Sequence, residues 1–231
     1  MDLTQNKQPI LACRKLSKVF SDGDRRVFAV KEASFEMFAG EFVCLRGPSG
    51  SGKSTFLKLL GGIDEPSGGD IFFQGASYAQ LGALGIGALR RHQIGYVLQE
   101  LALINYLTAV ENVELPSLFA GEPPVHCRTQ ALQTLRMVGL EPRADHLPSR
   151  MSAGERQRTA IARALLTRPA VLIADEPSSS LDTANTQQVV DILLKLCRNG
   201  VAVLVATHDD RIIAHAQRVI SIQDGSLLNK E

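Results

Sequence analysis

The stretch GPSGSGKST, residues 47–55, has the residue types and the spacing of a loop that binds phosphate groups. Its three spaced glycines let the backbone aim several N–H groups at one anion, and the helix that follows adds the positive end of its dipole. Lys53 supplies a cation for β- and γ-phosphates, and Ser54 supplies a hydroxyl for Mg²⁺. The alternative is a flexible glycine linker, and the strand before the loop and the helix after it argue against that interpretation.

Two carboxylates stand together at the predicted carboxyl end of a buried strand, in the stretch VLIADEP. Asp175 is suited to hold Mg²⁺ through a water molecule, and Glu176 is suited to polarise a water molecule that attacks a phosphate. The pair alone has a simpler interpretation, because carboxylates at a strand end also cap the following turn. The phosphate loop upstream favours the catalytic interpretation.

A turn of small residues opens a third stretch, MSAGERQRTAIARAL, residues 151–165. Ser152 and Glu155 have the spacing of a capping box, which satisfies free backbone N–H groups and starts a helix. The residues by themselves leave two interpretations open. The turn only starts its helix, or it also presents donors and the positive end of a helix dipole to an anion.

Six motifs follow one another along nearly the whole chain: GPSGSGKST, YVLQE, MSAGERQR, VLIADEP, SSSLD and ATHDD. In this order and at these spacings they resemble the motifs of the ATP-binding subunits of ABC transporters. Within that family, the stretch that runs from RRHQIGYVLQ to LFAGEP is similar to subunits of lipoprotein-release and macrolide-export systems. It contains ELALINYLTAVENV, where we expect a permease helix to dock; the alternative is a buried face of a helical subdomain.

The resemblance implies roles for the residues at matching positions. Phe20 matches the aromatic residue that stacks on adenine, Gln99 the residue that senses Mg²⁺ and the γ-phosphate, and His208 the histidine that contacts the γ-phosphate. Residues 152–154 match the signature turn, and Asp182 matches the aspartate of a loop that crosses between two subunits. Each has a structural alternative: a core aromatic for Phe20, a strand-end amide for Gln99, and helix caps for the other polar residues.

The site residues expected from the motifs and the resemblance form three groups. The catalytic residues are Glu176, His208 and Lys53. The metal ligands are Ser54, Gln99 and Asp175. The nucleotide-binding residues are Phe20, Gly47, Pro48, Ser49, Gly50, Ser51, Gly52, Lys53, Ser54, Thr55, Gln99, Ser152, Ala153, Gly154 and Asp182. The cofactors that the resemblance implies are ATP and Mg²⁺.

The resemblance implies an ATP hydrolase that closes as a head-to-tail dimer around ATP. In this family the signature turn of one subunit faces the γ-phosphate held by the other. The expected partners are a second ATP-binding subunit, as a homodimer, and a membrane-spanning permease of the lipoprotein-release or macrolide-export type. We expect a peripheral location at the cytoplasmic side of the inner (plasma) membrane. An alternative is the ATPase of a non-exporting complex that signals across the membrane in cell-wall regulation or antibiotic sensing.

Composition excludes several other classes of protein. Lys and Arg number 25 against 24 Asp and Glu, so the net charge is +1, and we expect no nucleic acid as a partner. Soluble DNA-repair and chromosome ATPases with similar heads carry long coiled-coil or zinc-binding insertions, which this sequence lacks. The four cysteines are scattered, as is typical of reduced thiols in a cytosolic protein.

The signature turn departs from the usual L-S-G-G-Q pattern of the family at two positions that bear on function. Ala153 adds a methyl group where glycine is usual, and this substitution is costly if the backbone there has a positive φ. Glu155 adds negative charge to the first helical turn, which favours the helix and disfavours a nearby phosphate. We expect function to survive both changes.

The elements that position these residues predict an α/β fold. Apolar strands such as VLIAD and VAVLVA alternate with helices, which indicates a mostly parallel sheet covered on both faces. With the resemblance, this pattern predicts a RecA-like P-loop NTPase core, an antiparallel β subdomain and an inserted α-helical subdomain. The prediction is one nucleotide-binding domain over 1–231, in which 1–98 and 161–231 form the core with the β subdomain and 99–160 form the helical subdomain.

Overall fold

The computed structural model describes residues 8–22 and 25–228, so residues 1–7, 23–24 and 229–231 of the predicted domain lie outside it. The strands are β1 (Leu11–Asp22), β2 (Arg25–Met37), β3 (Phe42–Arg46), β4 (Gly68–Phe73), β5 (Ala76–Ser77), β6 (Ile94–Val97), β7 (Val171–Asp175), β8 (Ala202–Ala206), β9 (Arg218–Gln223) and β10 (Ser226–Leu228). The α-helices are α1 (Lys53–Leu60), α2 (Tyr78–His92), α3 (Ala109–Phe119), α4 (Pro124–Met137), α5 (Ala153–Leu165), α6 (Thr183–Arg198) and α7 (Asp210–Ile213).

Two sheets form the framework of the described residues. The larger sheet has the order β10-β9-β3-β8-β7-β6, and its strands run parallel except for β10, which pairs antiparallel with β9. The smaller sheet is antiparallel, with the order β2-β1-β4-β5. The mostly parallel sheet and the separate antiparallel sheet confirm the predicted fold class.

The central strands are apolar on both faces because both faces of the larger sheet are covered. Along β3, Val43 and Leu45 point into a core shared with α1 and the smaller sheet. The alternate residues, Phe42 and Cys44, point into a second core shared with α5 and α6. Successive side chains of a strand project to opposite faces, so one short strand anchors both layers. This anchoring holds the end of β3, where the phosphate loop begins, in a fixed position.

A third core lies among the helices of the middle of the chain. Its buried side chains come mainly from α3, α4 and α5, with Val110, Val113 and Leu135 among them. Helix α5 belongs to two cores, because Ala162 packs in the third core while Ile161 packs in the second. These three helices form one helical block, which is joined to the larger sheet through α5.

Helix α3 departs from what its sequence indicates, because Pro116 does not end it. Helix α3 continues to Phe119. A proline inside a helix removes one N–H from the helical ladder, and its ring crowds the carbonyl group of residue i−4. Val113 and Ser117, on either side of Pro116, are both buried, so tertiary packing holds the helix together across the proline.

Helix α2 is a second departure from the sequence analysis, which assigned no helix to residues 78–92. The helix has a kink at Gly82, whose φ is 61° and ψ is −177°, and its exposed Leu84 does not continue an apolar stripe. Within residues 8–22 and 25–228, no helix has both the length and the apolarity that crossing a bilayer requires.

Candidate active site

The loops after three adjacent strands, β3, β8 and β7, open into one cavity. This arrangement follows from the parallel sheet, because the carboxyl ends of parallel strands lie at the same edge. The cavity is lined by twelve of the expected site residues: Gly47, Pro48, Ser49, Gly50, Gly52, Lys53, Ser54, Thr55, Gln99, Asp175, Glu176 and His208. Residues more than 120 positions apart in sequence are thus brought together around the phosphate loop.

The glycines of the phosphate loop are required by both conformation and space. Gly50 and Gly52 have positive φ values of 77° and 104°. A Cβ atom on Gly52 would lie 2.1 Å from the carbonyl oxygen of Ala29, and one on Gly47 would lie 2.3 Å from that of Ile222. The loop is therefore pressed against β2 on one side and β9 on the other, which fixes the direction of its N–H groups.

Lys53 is the first residue of α1, directly after the loop. Its Nζ donates hydrogen bonds to the carbonyl oxygens of Gly47 (2.8 Å) and Pro48 (3.0 Å), so the ammonium group lies across the loop. Gly52 is the N-cap of α1 and no side chain caps this end. The free N–H groups of the first turn, together with the lysine, make a site for an anion with several oxygens.

Asp175 and Ser54 provide the oxygen atoms expected of a magnesium site. Burial raises the pKa of Asp175, while a hydrogen bond from Ser54 opposes this change. Among the described residues, Oδ1 of Asp175 is buried without a hydrogen-bond partner. A buried carboxylate oxygen without a donor suits a cation or its bound water. No group of three or more His, Cys, Asp or Glu side chains that could hold a metal occurs within the described ranges.

Glu176 and His208 contact each other at the mouth of the cavity. Nδ1 of His208 lies 3.0 Å from Oε2 and 3.1 Å from Oε1 of Glu176, and Oγ1 of Thr207 donates to Oε2 at 3.3 Å. The Glu176 side chain is 10% exposed, whereas that of His208 is 74% exposed. Glu176 also has a left-handed backbone, with φ of 47°, and strain of this kind is common at functional sites.

The signature turn forms the predicted capping box. Ser152 Oγ accepts from the N–H of Glu155 (3.2 Å), and Oε2 of Glu155 accepts from the N–H of Ser152 (2.8 Å). Arg143 Nε donates to the same carboxylate at 2.9 Å, so the negative charge of Glu155 is compensated locally. The hydroxyl hydrogen of Ser152 is not used in the capping box, since a hydroxyl both donates and accepts. Ala153 is helical rather than left-handed, so its methyl group adds no backbone strain.

The remaining expected residues do not line this cavity. Ser152, Ala153, Gly154 and Asp182 lie outside it, and Asp182 is the N-cap of α6, with Oδ1 accepting from the N–H of Asn185 (2.8 Å). Ser51 is buried beneath the phosphate loop.

Phe20 also lies outside the cavity; its ring lies 5.1 Å from the Lys18 ammonium group. Phe28, which the sequence analysis did not name, is 51% exposed and lines the cavity. The β-hairpin that ends the larger sheet also contributes residues that were not expected. Gly225 N donates to Ser51 O (3.0 Å), and Gly225 O accepts from the N–H of Lys31 (2.8 Å). The other unexpected lining residues are Val27, Ala29, Lys31, Ser179, Asp224 and Gly225. The sequence analysis assigned these residues no role, because their neighbours in space are distant in sequence.

A half-buried arginine, Arg163, holds the segment that follows Gln99. Arg163 of α5 donates to the carbonyl oxygens of Leu101 (2.6 Å) and Ala102 (2.7 Å), and Ala102 has a positive φ of 48°. Burial lowers the pKa of Arg163. This contact connects the helical block to the loop that carries Gln99 into the cavity.

The fold and the cavity together define a P-loop ATPase cassette. The ABC transporter family matches residues 30–179, and this chain belongs to that family.

A protein described as the lipoprotein-releasing system ATP-binding protein LolD, from Idiomarina loihiensis, is 41% identical over 96% of this chain and 97% of its own length. A macrolide export ATP-binding/permease protein MacB from Wolinella succinogenes is 38% identical over 97% of this chain. The match covers only 35% of that protein, so the chain spans about a third of the length of such relatives. The dimeric post-hydrolysis structure of the ATP-binding cassette MJ0796, bound to ADP and Pi, superposes with a TM-score of 0.89 at 36% identity, covering 96% of this chain and 97% of that one.

Proposed function

We propose that this chain binds and hydrolyses MgATP as a head-to-tail dimer and drives a membrane permease of the lipoprotein-release or macrolide-export type. One observation carries the proposal: the phosphate loop, Asp175, Glu176 and His208 face one cavity although they are far apart in sequence. A phosphate-binding loop beside a buried carboxylate and a candidate base is the arrangement that phosphoryl transfer to water requires.

The phosphate-binding, metal-binding and catalytic residues of the cavity have distinct parts in the proposed reaction. The loop N–H groups and Lys53 hold the β- and γ-phosphates, and Ser54 and Asp175 would hold Mg²⁺ with Gln99 beside them. Bound Mg²⁺ would neutralise charge that develops on the phosphate oxygens. Glu176 orients a water molecule and accepts its proton during in-line attack. His208 holds Glu176 through Nδ1 and can turn its other ring nitrogen to the γ-phosphate.

The dimer is proposed because the expected nucleotide-binding residues Ser152, Ala153, Gly154 and Asp182 lie outside the cavity of their own chain. Ser152 and Asp182 are both exposed, and Ser152 keeps a hydroxyl hydrogen for a phosphate oxygen. A second copy related by two-fold symmetry would bring its own signature turn to this phosphate loop. Phe20, on β1, stays a proposed contact of the adenine base, together with Phe28, which lines the cavity.

The partner and the location belong to the same proposal. A permease would dock on the exposed part of ELALINYLTAVENV, where Tyr106 is 81% exposed, and would place the chain at the cytoplasmic side of the membrane. The name of the LolD relative favours the lipoprotein-release type. The division into a core of 1–98 and 161–231 and a helical subdomain of 99–160 stays a prediction, and the separate third core supports it.

The experiment is Glu176→Gln. The variant should bind ATP, because the phosphate loop is intact, and lose at least about 10²-fold in hydrolysis rate, because the proton acceptor is gone. With ATP and Mg²⁺ it should accumulate as a dimer in size-exclusion chromatography. Glu36→Gln is the matched control, since Glu36 is exposed on β2 outside the cavity. Unchanged turnover of Glu176→Gln, or no ATP binding by the natural chain, would refute the proposal.

A further inference from the structure

Asn185, in the first turn of α6, connects two parts of the surface that the proposed dimer uses. Its Nδ2 donates to both carboxylate oxygens of Asp182, each at 3.0 Å. On its other side, Oδ1 accepts from Nη1 of Arg158 in α5 at 3.1 Å. A carboxylate only accepts and a guanidinium only donates, so the amide is held in one orientation between them.

The backbone of the signature turn packs directly on the same side chain. A Cβ atom on Gly154 would lie 2.0 Å from Oδ1 and 2.4 Å from Cγ of Asn185. Gly154 does not have a positive φ, so this contact, and not backbone conformation, explains the glycine. The turn at residues 152–154 and the loop that carries Asp182 are therefore fixed to each other through one amide.

Capping of α6 does not require this arrangement. The N-cap bond joins Oδ1 of Asp182 to the backbone N–H of Asn185, and it would form with most side chains at residue 185. The side-chain amide adds the link to α5, where Arg158 is buried and also donates to Gln188. Ser152 and Asp182, at the two ends of the link, are exposed. The half-buried side-chain amide of Asn185 thus supports two exposed residues, Ser152 and Asp182.

We propose that Asn185 is a positioning residue that keeps the signature turn and Asp182 in register, so that both reach a second copy of the chain together. This inference rests on the proposed function, because it assigns Asn185 a part in closure of the ATP-bound dimer. Asn185 itself contacts no nucleotide in its own chain, since it lies outside the cavity.

Asn185→Asp tests the inference in a Glu176→Gln background, where the ATP-bound dimer accumulates. The substitution preserves the shape against Gly154 and the acceptor for Arg158, but it places two carboxylates about 3 Å apart. At about pH 8 we expect ATP-dependent dimerisation to weaken about tenfold relative to the parent. Toward about pH 6 the deficit should shrink, because two such close carboxylates share a proton. ATP binding to the monomer should stay unchanged.

Gln187→Glu is the matched control. Gln187 lies on the same helix, donates to Asp191 at 2.9 Å, and undergoes the same change from amide to acid beside a carboxylate. It is exposed and away from α5, so its dimerisation should match that of the parent at both pH values. Asn185→Ala, which removes both contacts, should weaken dimerisation equally at both pH values.

Three results would overturn the inference. They are full dimerisation of Asn185→Asp at pH 8, a deficit equal to that of Gln187→Glu, and full dimerisation of Asn185→Ala. If the Glu176→Gln parent itself stays monomeric with ATP, the proposed function fails, and the inference fails with it. Dimerisation is best measured by analytical ultracentrifugation, with urea unfolding of each variant as the test of folding.

Discussion

Removal of the Asp209 carboxylate should destabilise the protein in a pH-dependent way. Asp209, next to His208, accepts hydrogen bonds from Ser178 Oγ (2.7 Å) and from Nε (2.8 Å) and Nη2 (2.7 Å) of Arg211. These bonds, chiefly those from Arg211, lower the pKa of Asp209 from 3.8 to about 2. Since Ser178 lies two residues after Glu176, the carboxylate ties together the two loops that carry the candidate catalytic residues.

The magnitude follows from linkage between protonation and folding. A fall of nearly two pKa units at about 1.4 kcal/mol each corresponds to about 2.5 kcal/mol of unfolding free energy. The pKa is lower in the folded state, so this stabilisation is fully present above about pH 4 and is lost as the pH falls through about 2. The Asp209 side chain is only 12% exposed, so solvent screens the interaction weakly.

Urea denaturation of the natural chain and of Asp209→Asn, at steps between about pH 7 and about pH 3, measures the effect. The difference in unfolding free energy should be about 2.5 kcal/mol at pH 7 and about half of that at pH 3. Asp210→Asn controls for the loss of one charge at an exposed neighbouring position. A difference that stays constant over this range, or that is absent at pH 7, would refute the assignment of the lowered pKa to this ion pair.

Two further substitutions test other contacts. The chain has no tryptophan, so Phe28→Trp places a single fluorophore at the cavity, and ATP should quench it while inorganic tripolyphosphate should not. Phe119→Trp, at an exposed position outside the cavity, is the control, and an equal response of both would contradict a base contact at Phe28. Arg163→Lys loses one of two charge-assisted bonds to the segment after Gln99 and should lower the unfolding free energy by about 1.5 kcal/mol in urea denaturation. The exposed Arg168→Lys should change it by less than about 0.5 kcal/mol, and equal effects would show that the carbonyl contacts of Arg163 contribute nothing.

The features predicted best from the sequence are those formed by residues that lie close together along the chain. Phosphate loops need glycine, lysine and serine at fixed spacing, and the stretch 47–55 forms the expected loop between strand β3 and helix α1. The capping box of Ser152 and Glu155 likewise depends on residues three positions apart. Such features are determined by neighbours in the chain, so a sequence motif is enough to predict them.

Contacts between distant segments could not be predicted in this way. Nothing near Gly154 in the sequence indicates that Asn185 packs against it, and nothing near Phe28 indicates that it faces the phosphate loop. Helix α2 was missed because its glycines weaken both propensity and periodicity, and packing of Tyr78 and Ile86 in the first core compensates. The continuation of helix α3 across Pro116 could not be predicted either, because packing across the proline is a tertiary effect.

The separate apolar interior of the helical block has a consequence for how such a protein diversifies. Because that interior is built mainly from α3, α4 and α5, its outer face can change by gradual drift without disturbing the strand ends that surround the phosphate loop. A homologue can therefore dock this block on a different membrane partner while the residues around the phosphate loop stay the same. Helix α5 is the exception, because its buried side chains pack in both the second and the third core, so that a substitution there can disturb either one.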